Sequence, residues 1–350
     1  MAGRGAPDTN DKKKALRNAA VFALILLGTL YGVFHGQDMG ELKDALAQCR
    51  TDWIICAVGA VMVFLLCEAV ALRLLLDSFG MGLGEGTCFM TACIGFFFSA
   101  ITPSSTGGQP MEVYFLRKKG IPVSITSVAL LMMAIAYKLI LVLIGLGLML
   151  FGNGFLRAHL GGMMFLFYIG MLLTGGWTVF LLLMVFRPGM ARGILIWGMS
   201  MLEQLHIMKR REEHQASLEV AMDMYADAAD HLKKHPRVIV EVLFVMLLRR
   251  SALFTVTWFV YRAFGLSGTS WVTIALLQAT ISICADMLPL PGGMGASEGL
   301  FLKVFAPAFG ALALPGMVLS RGIGHYAQLI LCALVTMLAL FLAERGRKIE

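Results

Sequence analysis

Charge is scarce in this sequence of 350 residues: Asp, Glu, Lys and Arg make up 15%, against 58% hydrophobic residues, and the mean hydropathy is +0.79. Soluble domains usually carry about 25% charged residues. The shortage excludes one or two ordinary soluble domains and indicates a polytopic membrane protein. Also missing are any C-x-x-C pair and any Cys/His cluster. The seven cysteines stand at 49, 56, 67, 88, 93, 284 and 332, mostly inside apolar runs. That placement fits packing and supports neither a disulfide framework nor a metal site. There is no P-loop, no metal-ligand spacing and no set of nucleophile, base and orienting group, so no cofactor is expected. No small-residue cleavage site follows the apolar run 19–34, where Tyr31, Phe34, His35 and Gln37 offer none, so this run is read as an uncleaved first span.

What charge there is sits in clusters. The net charge of +7 comes from basic groups beside apolar runs, which encode orientation and contact with anionic lipid and do not suit a nucleic-acid partner. The 24 methionines read as pliable packing. Residues 1–15 are polar, lysine-bearing and expected to be disordered and cytoplasmic. Residues 16–345 are expected to form a single all-α membrane domain in the cell membrane, with both termini cytoplasmic.

Full spans are expected at 19–34, 53–76, 124–152, 163–186, 238–261 and 316–343, about six in all. Two further segments, 87–116 and 269–315, are interrupted by proline and glycine and do not fit as single crossings. A full crossing by the first would leave Arg117, Lys118 and Lys119 outside. The last span ends at Glu344, Arg345, Arg347 and Lys348, so it must begin outside. The first interrupted segment therefore enters from the cytoplasm and returns. The second re-enters from outside or crosses an even number of times. Backbone groups freed at such breaks must be covered by protein or line a wet cavity. Residues 53–152 and 238–343 then form an inverted repeat with two oppositely oriented re-entrant broken helices, an architecture of many transporters.

Between the repeats, residues 190–237 are expected to be cytoplasmic. Ile194, Trp197, Met201, Leu205 and Met208, then Leu218, Met222, Tyr225, Ala229 and Leu232, keep helical spacing. They read as two amphipathic helices on the inner leaflet. Glu68 and Arg73 lie on a span five residues apart, a poor spacing for a direct helical pair, so both are expected to face a polar interior.

The candidate site lies at the two breaks. In the first, Thr102, Ser104, Ser105 and Thr106 supply hydroxyls, Gly107 and Gly108 allow close backbone approach, and a broken helix offers N–H groups to a phosphate. Glu112 follows. The plain alternative is a packing kink with small residues at a helix crossing. In the second, Pro289 and Pro291 end a half-helix, Gly292, Gly293 and Gly295 permit reversal, and Asp286 and Glu298 flank the turn. These carboxylates suit proton transfer or a cationic head group. Lys138, Arg249, Arg250 and Arg321 are cations at or near membrane depth, with His325 and Tyr326 on the last span. They form either a phosphate-binding set or ion pairs with Glu112, Asp286, Glu298 or Glu241. Arg321 and His325 stand one helical turn apart on one face. Arg249 and Arg250 point about 100° apart, so one carboxylate rarely satisfies both.

The stretches TPSSTGGQPMEVYFLRKKGI and LPLPGGMGASEGLF, with the Arg321 and Tyr326 region, resemble the membrane region of the lysylphosphatidylglycerol synthase (multiple peptide resistance) family and its stand-alone flippase-like relatives, over roughly residues 15–345. The resemblance implies movement of an aminoacylated phospholipid between leaflets, a role in antibiotic resistance, and, in the full-length proteins, a separate soluble domain that transfers the amino acid. This chain ends at Glu350 directly after its last apolar run, so lysyltransferase activity is not expected of it.

The function expected is translocation of a phospholipid or another phosphate-bearing lipid, with anionic or zwitterionic membrane lipids as partners. A membrane-embedded transferase or accessory subunit for a lipid-linked substrate is the second reading. A scaffold that docks a separate synthase through residues 190–237 is the third. An oligomer is compatible with all three.

Overall fold

The computed structural model describes residues 39–102, 105–187, 189–190, 192–194, 196–197, 211–286 and 295–346. The expected first span, Met201, Leu205, Met208, Ser104, and Gly292 and Gly293 with both prolines of the second break lie outside these residues. Among the described residues the chain is wholly helical, and the protein is an all-α polytopic membrane protein. Among the described residues four stretches are long and apolar enough to cross a bilayer: Thr51–Ser78, Val123–Phe151, Asn153–Phe186 and Ala306–Ala339. Their outward faces carry exposed Ile55, Val58, Phe165, Leu172, Ile330 and Leu334, side chains that water would not hold at the surface but lipid would.

After a short helix α1 (Met39–Ala47), α2 (Thr51–Ser78) runs 28 residues. At about 1.5 Å per residue it outreaches the ~30 Å apolar core of a bilayer. A hairpin follows, with α3 (Glu85–Ile101) and α4 (Gly108–Lys118) as arms packed on each other. Then come α5 (Val123–Phe151), a short α6 (Asn153–Leu160) and α7 (Met164–Phe186). The amphipathic α8 (Arg211–Lys234) leads into α9 (Pro236–Ala263), which starts on a proline where no amide donor is needed. A second hairpin has arms α10 (Trp271–Ala285) and α11 (Ala296–Val304). The short α12 (Ala306–Phe309) and α13 (Ala313–Arg321), a π-helical turn Gly322–Ala327 and α14 (Gln328–Gly346) complete the chain.

The two halves repeat one order: a helix of 28 residues, a two-armed hairpin, a long helix. The two 28-residue helices, α2 and α9, lie antiparallel along one another. Arg50 N donates to Ala263 O (2.9 Å) at one end, and Glu68 pairs with Arg249 further along. Trp53 meets Trp258 edge-on at 5.7 Å and Phe259 at 5.9 Å, an aromatic cluster of the kind found at a membrane interface. Each hairpin is held by the other half: α14 packs on α3, and α5 packs on α10. The long hairpin arms have 17 and 15 residues, about 26 and 23 Å, shorter than the ~30 Å apolar core of a typical bilayer.

Small residues let these elements close on each other. A Cβ at Gly108 would strike Ser99 Oγ and the Gly95 carbonyl, and one at Gly170 of α7 would strike the Ile283 carbonyl of α10. Such contacts are backbone approaches that only glycine permits.

Helix α8 departs from expectation. Its stripe of Met222, Tyr225, Ala229 and Leu232 is buried against protein, not laid on a leaflet. Ser124 Oγ of α5 donates to Ala221 O (2.8 Å), and Tyr225 Oη donates to Met184 O of α7 (3.0 Å). The small side chains of Ala228 and Ala229 let the helix approach α5 and α7 closely enough to cover the stripe.

Candidate functional site

Three ionic clusters sit where the hairpins meet the long helices. The first joins α2 and α9. Arg249 pairs with Glu68, both mostly buried, and its guanidinium carbon lies 4.1 Å from the centroid of the Phe64 ring. Glu112 of α4 is 7% exposed and lies within electrostatic reach of both. Its carboxylate rests over Gly95 of α3, where a Cβ would overlap Oε1. Gly95 thus makes the space that a buried carboxylate occupies.

The second cluster ties α5 to the end of α10. Lys138 Nζ meets Asp286 Oδ2 at 2.7 Å, and Tyr137 Oη donates to the same oxygen at 2.5 Å. Arg250 donates from its terminal nitrogen to Tyr137 Oη at 2.9 Å and stacks its guanidinium over the Tyr137 ring at 4.4 Å. Arg250 is 7% exposed and reaches Asp286 only through the phenol. Adjacent residues on a helix point about 100° apart, which sends Arg249 to the first cluster and Arg250 to the second.

The third cluster closes the second hairpin onto α13. Arg321 Nε donates to Glu298 Oε1 at 2.9 Å, and its terminal nitrogen donates to Ser297 Oγ. Glu298 Oε2 accepts from Gly295 N at 2.7 Å and from Ser297 Oγ at 3.0 Å. One carboxylate therefore caps the first turn of α11 and binds a cation from the last span.

At the first break Thr102 ties the end of α3 to the start of α4. Thr102 Oγ1 donates to Phe98 O (2.6 Å) and accepts from Gly107 N (2.9 Å). Ser105 is exposed with a φ of +53°, Thr106 is exposed and has a partner, and Gly108 is buried at the arm crossing. A Cβ at Gly107 would meet the Thr102 side chain, so both glycines sit at close approaches.

Some sequence-based assignments change. Glu241 does not serve the buried cations but pairs with Arg237 one turn away (2.9 Å), where both reach solvent. Arg321 faces Glu298 of α11, and His325, four residues on within the π turn Gly322–Ala327, also meets Phe96 of α3, 5.9 Å between ring centroids. Tyr326 is half-buried against the His325 ring. Arg73 does not join Glu68 in a polar interior; its side chain is partly exposed and pairs with Asp77 and Glu85. Tyr137 and Ser297 are absent from the sequence-based set, although each adjoins a member of it, Lys138 and Glu298.

A protein-family model described as Lysylphosphatidylglycerol synthase TM region matches residues 18–332. The chain belongs to that family. No curated protein matches the sequence. Membership in the lysylphosphatidylglycerol synthase TM family makes this a membrane protein linked to aminoacyl-phospholipid metabolism or translocation. Among the described residues no three His, Cys, Asp or Glu side chains gather as a metal site.

Proposed function

We propose that the protein moves a phosphate-bearing membrane lipid, an aminoacylated phosphatidylglycerol or a related phospholipid, between the leaflets of the cell membrane. The two hairpins are taken as re-entrant from opposite sides, with both chain termini cytoplasmic, as the basic clusters favour. The observation that carries the reading is the set of buried ionic groups linking each hairpin to a long helix. Ionisable side chains at membrane depth are costly and face a polar interior when they serve transport. Lys138, Arg249 and Arg321 each hold a carboxylate, whereas Arg250 meets only a phenol and aromatic faces. A phosphate fits Arg250 best. Glu112, Asp286 and Glu298 suit the cationic part of a zwitterionic head group, or protons. Ser104, Thr106, Gly292 and Gly293 are kept as candidate contacts of the head group.

The test is reconstitution into vesicles with fluorescent phosphatidylglycerol and lysylphosphatidylglycerol, following head-group accessibility to a membrane-impermeant quencher. Wild-type protein is expected to equilibrate the leaflets, and Glu298→Gln to slow it. Equal rates would sink the site assignment. The family description, with its word synthase, favours a second reading in which the chain is a membrane-embedded transferase or the partner of a synthase. Product formation that depends on an aminoacyl donor, by the purified protein, separates the two.

A further inference from the structure

Among the described residues Glu112 is the buried carboxylate that makes no hydrogen bond and no ion pair, whereas Glu68, Asp286 and Glu298 each take a cation. The helices packed most heavily on α4 are α3 and α5, and neither supplies a partner. From α3 the carboxylate meets the Gly95 backbone, while the Cys93 thiol turns to Cys332. The titratable groups of α5, Tyr137 and Lys138, turn to Asp286. The charges within reach of Glu112 are Glu68 of α2 and Arg249 of α9. Arg249 is engaged, ion-paired to Glu68 and stacked on Phe64.

With all three groups ionised, two carboxylates share one guanidinium. An unbalanced charge at membrane depth is costly, and a proton on Glu112 removes it. A leucine or methionine would fill the space over Gly95 without that cost; a carboxyl adds the capacity to take and give a proton. Water is near. Arg117, five residues on, lies at the exposed end of α4, about 8 Å along the helix. Glu112 itself is 7% exposed, so the site admits a proton and not a head group. We infer that Glu112 binds and releases one proton in each cycle, as the α3–α4 hairpin shifts against α2 and α9, and so couples lipid movement to a proton gradient. One O–H bond breaks and is remade, with water on either side as acceptor and donor. The inference rests on the translocator reading and adds its driving force, which distinguishes a transporter from a protein that only equilibrates the leaflets.

The full-length protein is reconstituted in vesicles with fluorescent phosphatidylglycerol, with valinomycin and equal potassium holding the membrane potential at zero. The quencher then reads the steady-state share of the lipid in each leaflet, against protein-free vesicles. Without a pH difference the share should be even. A difference of about one pH unit should move the leaflet ratio towards about tenfold, the limit for one proton per lipid, and reversing the difference should reverse the ratio. Glu112→Gln, whatever its rate, should settle at an even share under either gradient, and Glu112→Asp, which keeps a titrating oxygen, should stay uneven. An even share in wild-type protein under a pH difference, or an equally uneven one in Glu112→Gln, overturns the inference and leaves the translocator reading standing. Infrared spectra of the protein in lipid need no movement: a carboxyl C=O band that shifts in heavy water and is missing from Glu112→Gln is expected. If wild-type protein moves no lipid, the translocator reading and the coupling fall together, and the band decides whether Glu112 still holds a proton; its absence overturns that as well.

Discussion

Glu298 illustrates how much a single buried carboxylate can hold. It accepts from a backbone amide, a serine hydroxyl and an arginine, and is 4% exposed. Glu298→Gln keeps an oxygen for Gly295 N but leaves Arg321 without its charge. Removing one partner of a fully buried pair costs about 3–5 kcal/mol. Arg321 keeps 24% of its side chain exposed, so about 2 kcal/mol is expected. The check is thermal unfolding in detergent, with the Glu298→Gln/Arg321→Gln double variant expected to recover part of the loss. Tyr137→Phe is a narrower cut. It retains the ring on which Arg250 stacks and deletes the hydroxyl that links Arg250 to Asp286. It should cost about 1–2 kcal/mol in the same assay, and slow lipid movement severalfold without changing which lipid is moved. An unchanged rate would mean that Arg250 does not need to be held in place by the phenol.

At the level of helices, the glycines divide by what lies opposite them. Gly170→Ala would press a methyl group into the Ile283 carbonyl, and a backbone cannot step aside as a side chain can. A loss of about 1–3 kcal/mol is expected, read by thermal unfolding. Gly175, on the same helix, has open space around its Cβ direction, and Gly175→Ala should leave the melting temperature unchanged or slightly raised. If both variants behave alike, the α7–α10 approach is not what α7's glycines serve. The helix α8 allows a statement about pH. Lys233 donates to Asp230 (2.6 Å) and holds its carboxyl below the ordinary carboxylate range. A depressed value means that the pair is present above the unfolded carboxylate pKa and is lost as pH falls through the folded one. Both groups reach solvent, so losing this pair by acidification through the carboxylate range should not by itself loosen the docking of α8, followed by protease resistance.

At the scale of the molecule, the order of long helices and interrupted segments was legible in the sequence, because apolar runs, basic clusters and Gly-Pro breaks are local signals. The ends of α2, α5 and α9 fall within a few residues of the runs that announce them. The pairing of the ionic groups was not legible. Glu68 meets Arg249 across 181 residues of chain, and Asp286 meets Tyr137 and Lys138 across 149 and 148; helical spacing is blind to contacts between elements. The π turn after Arg321 was hidden for another reason, since Gly322 to Ala327 carries no sequence mark that separates it from an α-helix. The covering of α8 by protein was also hidden, because an amphipathic stripe looks alike whether lipid or helix lies against it.

The packing of each hairpin on the other half's last helix predicts that lipid movement requires the halves to slide. Cys93 of α3 and Cys332 of α14 are both buried in one cluster, with their thiols in contact across that boundary. Copper phenanthroline is an oxidant that takes two electrons and two protons from such a pair and leaves a disulfide. In reconstituted vesicles that treatment should slow lipid movement at least tenfold, by fixing two elements that must pass one another. Dithiothreitol should restore the rate, and Cys332→Ser should be indifferent to the oxidant while moving lipid as the untreated protein does. If the disulfide forms, seen as a mass loss in the joined peptides, and the rate does not change, then the α3–α14 contact stays closed throughout. The moving boundary must in that case lie on the other side, where α5 meets α10 beside Lys138 and Asp286.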